Sequence, residues 1–215
     1  MSDVAIYRGP SDGFEDAAAD AASNVIRGSI LKFADWRWTH GQEGTVLREG
    51  TRLLATGCAH AWVKWVDGKP AQYVMRKPGE QLCERDELGD MNKGAWELGF
   101  DDQPKDPWQE TRFVWLLGEN AEAYTFSTSS WGGRTAVIDL ADQILRMRYA
   151  KKGAIPIVEL HAAEMKTKFG KKSKPILKVV DWRYPDGSEL PDQTARPAIT
   201  REPPKNGDMN DEIPF

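Results

Sequence analysis

The chain has 215 residues, 40% of them hydrophobic and 29% charged, with a net charge of −4. That length allows one sizeable core with appendages, and no apolar run approaches the roughly 18 residues a membrane span needs. The opening "MSDVAIYRGPSDGFED" has no basic stretch followed by an apolar one, so no secretory signal is expected. With only Cys58 and Cys83, a reducing cytoplasm is expected rather than a disulfide framework.

The modest net charge hides a strong asymmetry. Residues 80–122 hold twelve acids against four Lys/Arg, whereas residues 144–183 hold eleven Lys/Arg against three acids. From residue 184 onward there are seven acids and three bases. A polyanion senses local field within a Debye length of roughly 8–10 Å, so the basic block says more than the total. Tryptophan is the other outlier, with nine residues at 36, 38, 62, 65, 96, 108, 115, 131 and 182. Packing accounts for most of them, because Trp buries a large area and suits strands.

Taken in chain order, residues 1–24 are Ala- and acid-rich without a sustained apolar face and read as a flexible arm. "VIRGSILKFADWRW" opens the ordered part, with Ile30, Lys32, Ala34 and Trp36 alternating against Leu31, Phe33, Asp35 and Arg37. "TRLLATGCAHAWVKWVDGKPAQYVMR" predicts two strands joined at Asp67-Gly68-Lys69, since Asp-Gly supplies the positive φ angles of a tight hairpin. Trp62, Lys64 and Val66 then share one face, and Val63 and Trp65 the other. Residues 78–107 read as a long polar loop. "TRFVWLLGENAEAYTFSTSS" predicts a second hairpin turning at Gly118-Glu119-Asn120.

Over residues 134–151 the period becomes helical, with Val137, Leu140, Ala141, Ile144 and Arg148 in step and Gly153 placed as the terminator. Two strands, "IPIVELHA" and "PILKVVDWR", flank "AEMKTKFGKKSK". The remainder is Pro-rich and lacks an apolar pattern. The predicted fold is mainly β with one clear α-helix: a Greek-key barrel of the oligonucleotide-binding (OB) type, with a general antiparallel β-sandwich as the alternative. The predicted units are a flexible arm over 1–24, a β-rich nucleic-acid-binding core over 25–183, and a Pro-rich linker with an acidic tail over 184–215.

The basic hairpin is the main internal signal. Lys166, Lys168, Lys171, Lys172 and Lys174 surround Phe169 at a turn containing Gly170. Lysines neutralise phosphates, and a ring stacks on any base without reading its identity, for roughly 1–3 kcal/mol per base. A bland reading exists: a solvated lysine turn also blunts a sheet edge. Arg146, Arg148, Lys151 and Lys152 just upstream raise the local field. Trp131 with Gly132-Gly133-Arg134 reads as a ring on a mobile loop, with Arg134 beside it. Trp36 and Trp38 of "WRWTH" are further stacking candidates, although core packing also explains each of them.

Catalytic signatures are sparse. There is no P-loop spacing, nucleophile elbow or His-Glu-x-x-His, and Cys58, His60 and Cys83 are too scattered to read as a metal set, so no catalytic residue, cofactor or metal is assigned. Glu164-Met165-Lys166 has the Glu-x-Lys pattern of one nuclease class, with Asp139 as the metal-binding partner such a site would need on a neighbouring strand. A metal-dependent nuclease is therefore the catalytic alternative.

The chain closes with "GDMNDEIPF". Asp208, Asp211 and Glu212 precede Ile213, Pro214 and Phe215, whose ring carries the α-carboxylate. Phe215 can fill an apolar pocket for roughly 1.5–3 kcal/mol, its carboxylate can pair with an Arg, and the upstream acids suit a basic rim. This ending resembles the acidic Ile-Pro-Phe tip of bacterial single-stranded DNA-binding proteins. Met209 and Asn210 interrupt the acids here, the linker is short and Pro-rich, and the resemblance is limited to the tip. It implies a phage-encoded or divergent member of that group, acting in the cytoplasm of a bacterial or phage-infected cell. The partners it implies are single-stranded DNA and the replication, recombination and repair proteins that read such tips. A homo-oligomer is compatible with this reading, and no membrane partner is expected. A further alternative is an adaptor or inhibitor that displays the tip to capture host repair proteins while its body binds no DNA.

Overall fold

The computed structural model describes residues 25–99, 102–167 and 170–184. The expected N-terminal arm, the linker and acidic tail, and Lys168 and Phe169 lie outside the described residues. Among those described, nine strands join one sheet and a single α-helix is present. No helix there is long and apolar enough to cross a membrane.

The chain opens with a three-strand ribbon: β1 (Ser29–Ala34), β2 (Arg37–His40) and β3 (Thr45–Leu47). Only Asp35 and Trp36 separate β1 from β2, at φ 48° and 66°, the left-handed pair that matches the twist of a two-residue hairpin. β4 (Arg52–Val66) and β5 (Lys69–Met75) turn at Asp67 and Gly68, with φ 50° and 71°, as the Asp-Gly signal predicts. β6 (Trp108–Leu117) and β7 (Ala123–Thr128) form the second expected hairpin.

Next come α1 (Trp131–Arg148), then β8 (Ile155–Thr167) and β9 (Gly170–Arg183). The sheet runs in the order β3-β2-β1-β7-β6-β4-β8-β9, with β5 paired to β4 off this path. β4 is long enough to serve three partners. It pairs along most of its length with β6, while its other edge takes β8 at Arg52–Leu54 and β5 from Ala61 onward.

The sheet is strongly curled into an open half-barrel. Its inner face meets itself in one cluster that draws Leu31, Trp38, Leu53, Val114, Phe126, Val158, Leu160 and Leu177 from seven strands, with Val137 and Leu140 of α1. Burying each such aliphatic side chain stabilises the fold by roughly 1.5–3 kcal/mol. Trp38 Nε1 donates to the His161 carbonyl at 3.0 Å, tying β2 to β8 across the open side. α1 lies along β9, where Gln143 donates to the Leu177 carbonyl and accepts from the Val179 N–H, covering that strand's free edge. A second cluster forms on the opposite face of β4 and β6: Val25, Ala61, Val63 and Phe113, with Trp65 and Tyr73 against it.

Residues 78–107 are a long excursion, as expected, but an anchored one. Arg85 grips Asp106 through three hydrogen bonds of 2.7–3.0 Å. Trp62 donates to the Cys83 carbonyl, and Asp90 accepts from Trp108 Nε1 at 2.9 Å and from Lys64 Nζ at 2.8 Å. Lys64 first, then Trp108, holds the Asp90 carboxyl below the usual carboxylate range.

Candidate nucleic-acid interface

The strands run further into the lysine segment than the sequence suggested. β8 and β9 stay paired out to Thr167 and Gly170, so the described lysines alternate between the two faces of the ladder as they flank the end of the hairpin. Lys166 and Lys171 oppose one another on the face that also carries Glu164; Lys172 and Lys174 lie on the other face, opposite Met165 and Ala163. Lys171 reaches Glu164 at 3.0 Å, and this is the one ion pair that the hairpin lysines make among the described residues. Two lysines directly opposite are electrostatically costly, and a polyanion relieves that cost.

Trp131 is not on a loop: it opens α1. Ser130 caps the helix by accepting from the Gly133 N–H at 3.1 Å. The two glycines are there because the first turn comes very close to its neighbours. A methyl group on Gly133 would fall 1.9 Å from Thr128 Oγ1, and one on Gly132 would fall 3.2 Å from both Met165 Sδ and Lys174 Cβ. The start of the helix is thereby pressed against the lysine hairpin, with the Trp131 ring left 64% exposed. This brings Trp131, Arg134 and Lys174 to one end of the molecule.

Other expected site residues are not brought there. Arg146 and Arg148 lie at the far end of the 18-residue helix, roughly 25 Å away at 1.5 Å per residue, with Lys151 and Lys152 just beyond. Arg146 is also paired with Asp142 at 2.6 Å. Trp36 stands 53% exposed on the β1–β2 turn. Trp38 must be removed from the stacking set: it is 2% exposed, packs edge-on against Phe33 and Phe126, and uses its N–H inside the fold.

Two features escaped the sequence reading. On the outer face of β1, β4, β5, β6 and β7, a groove of about 430 Å³ is lined by Trp65, Tyr73, Phe113, Thr111 and Lys32 among others. Tyr73 and Phe113 lie 6.3 Å apart, and burial pushes the Tyr73 hydroxyl pKa up. The Trp65 indole N–H is buried without a hydrogen-bond partner. The alternation in "AWVKWV" puts Val63 and Trp65 on one face, but only register reveals that Tyr73 sits opposite Val63.

The second feature is ionic. Glu110 on β6 takes a hydrogen bond from His60 Nε2 at 2.8 Å and another from Arg134, with Arg112 NH2 3.9 Å away. Burial lowers the His60 pKa despite the Glu110 contact.

Glu164 and Lys166 do share a face of β8, but Asp139 stands on α1 and not on a strand beside them. Among the described residues no group of three acids, His or Cys is placed to hold a metal. No family model, curated protein or solved structure matches this chain.

Proposed function

We propose that this protein is a non-catalytic single-stranded DNA-binding protein of replication, recombination or repair. It coats the strand with weak sequence preference and recruits partners through its C-terminal tip. The observation that carries this reading is the place of the lysine hairpin in the topology. From β4 onward the main path is a three-strand meander (β4, β6, β7), a helix, and a closing pair (β8, β9), with the first strand paired to both the second and the fourth. That connectivity is compatible with an OB-type Greek key, with β1–β3 and β5 as additions. In OB folds the face of strands 2 and 3 and the loop between strands 4 and 5 bind oligonucleotides.

Under this correspondence strands 2 and 3 are β6 and β7, which carry part of the aromatic groove. The 4–5 loop is the end of the β8–β9 hairpin, with Lys166, Lys171 and Lys172. Rings and cations in those positions suit a flexible polyanion whose bases are free to stack. The acidic tip ending in Ile213-Pro214-Phe215 supports recruitment of partner proteins: it offers an apolar anchor with a carboxylate, preceded by acids for a basic rim.

Titration with oligo-dT at low and moderate salt tests the reading. Tryptophan fluorescence should quench, and log K should fall linearly with log salt. A chain that leaves oligo-dT unbound even in dilute buffer is not a DNA-coating protein, and the adaptor reading, with the tip as the working part, then takes its place.

A further inference from the structure

The environment of Glu110 is unbalanced. One carboxylate faces the guanidinium groups of Arg112 and Arg134 and the imidazole of His60. Arg76 follows β5, donates its backbone N–H to the His60 carbonyl at 2.8 Å, and adds its charge to the field at His60 and Arg112. Its own side chain has no ion pair among the described residues, and the Arg112 Nε–H is buried without a partner. Burial, together with the charges of Arg134 and Arg76, lowers the Arg112 pKa even though Glu110 opposes the shift. Two guanidiniums and an imidazole therefore share one acid in the added field of Arg76, and the shortfall is one or more anionic oxygens.

The cluster is partly open: the side chains of Glu110, Arg112 and Arg134 are 29%, 25% and 30% exposed. Arg134 belongs to the first turn of α1, the turn that touches Lys174 and carries the exposed Trp131. Cations thus continue from the hairpin past the helix start to Arg112. Because side chains alternate along β6, Glu110 and Arg112 face away from the groove that Thr111 and Phe113 line.

We propose that Arg112 and Arg134 form a phosphodiester-binding site for the DNA strand, and that Glu110 occupies it until a strand arrives. The proposal rests on the single-stranded DNA reading and deepens it. Guanidinium groups bind the paired oxygens of a phosphate as they do those of a carboxylate. A phosphate can therefore take over the contacts of Glu110 without rebuilding the site. Trp131 is then the ring beside that phosphate on which the neighbouring base stacks.

Glu110→Gln keeps the shape of the side chain and removes its competing charge. In oligo-dT titrations at about 50 and about 200 mM salt, E110Q should bind roughly two- to fivefold tighter than the unaltered protein. Arg112→Gln and Arg134→Gln should each flatten the slope of log K against log salt by about 0.7. The arginine variants also loosen a tie between α1 and β6, so the gain expected of E110Q, which a damaged fold cannot produce, decides between site and scaffold. If the protein binds oligo-dT while E110Q binds no tighter and the arginine variants keep the slope, the site is rejected and the DNA-binding reading stands. If the protein ignores oligo-dT, that reading falls, and inorganic phosphate decides the cluster alone. The Arg112 Nε–H NMR signal should then shift saturably with phosphate in E110Q and hold still in R134Q. A signal that does not move in E110Q overturns the proposal.

Discussion

Residues 78–107 and the β8–β9 hairpin are both long, strongly charged excursions, and they treat their charge in opposite ways. In the first, acids are tied to the fold: Asp106 to Arg85, Asp90 to Lys64 and the Trp108 indole N–H, Glu97 to the Asp67 N–H at the β4–β5 turn. In the second, lysines project along a ladder with one exposed ion pair among those described. Charge satisfied internally fixes a loop and offers little to a partner. Charge left facing solvent attracts counterions, whose release on binding a polyanion is favourable. Charge density in the sequence is similar for the two segments, so it is the partners that separate scaffold from interface.

The sharpest way to break this contrast is to remove the hairpin cations. Replacing Lys166, Lys171 and Lys172 together by Ala should flatten the salt slope by about 2 and weaken oligo-dT binding on the order of a hundredfold in dilute buffer. The thermal transition should hardly move, because exposed substitutions of this kind usually stay within about 0.5 kcal/mol. A hairpin variant that unfolds early while keeping its slope would reverse the assignment.

The acidic excursion should respond the other way. Asp106→Ala leaves the Arg85 guanidinium without its bidentate partner and should cost about 1–3 kcal/mol of stability, read by urea unfolding, with protease cleavage appearing within residues 78–107. Its DNA salt slope should not change. A changed slope with unchanged stability would mean that these acids act on the partner and not on the fold.

The smallest effect expected is on acidification. Asp90 has a depressed pKa in the folded state, so its contribution is present above the unfolded value near 4 and is lost as pH falls through the lower folded value. The fluorescence of Trp108, whose indole N–H donates to the Asp90 carboxylate, should therefore change below about pH 4, and Asp90→Asn should abolish that step. A step near neutral pH would place the sensitivity elsewhere.

Local chemistry carried the sequence reading far along the chain. Asp67-Gly68 can turn tightly because both residues tolerate positive φ, and the 3.6-residue spacing of Val137, Leu140 and Ile144 marks the apolar face of α1. It ended the last two strands too early because clustered lysines beside Gly170 resemble loop, whereas thirteen cross-strand pairs carry the ladder out to Thr167 and Gly170. It misjudged Trp131 because Gly132-Gly133 suggests a loop when no neighbour is in view. With Thr128, Met165 and Lys174 in place, those glycines are the residues that let the helix start so close to them.

By itself, the sequence determined the β4–β5 and β6–β7 hairpins, most of the helix and the block of clustered lysine, because each depends on preferences acting over a few neighbouring residues. Only the tertiary structure decided which faces meet. Trp38 is buried by a bond to a carbonyl 123 positions away, β1 is inserted parallel beside β7, and Arg112 and Arg134 converge on one glutamate from a strand and a helix. Such pairings are set by how a curled sheet closes on its own core. That closure depends on the burial of many side chains at once, and no short stretch of the chain encodes it.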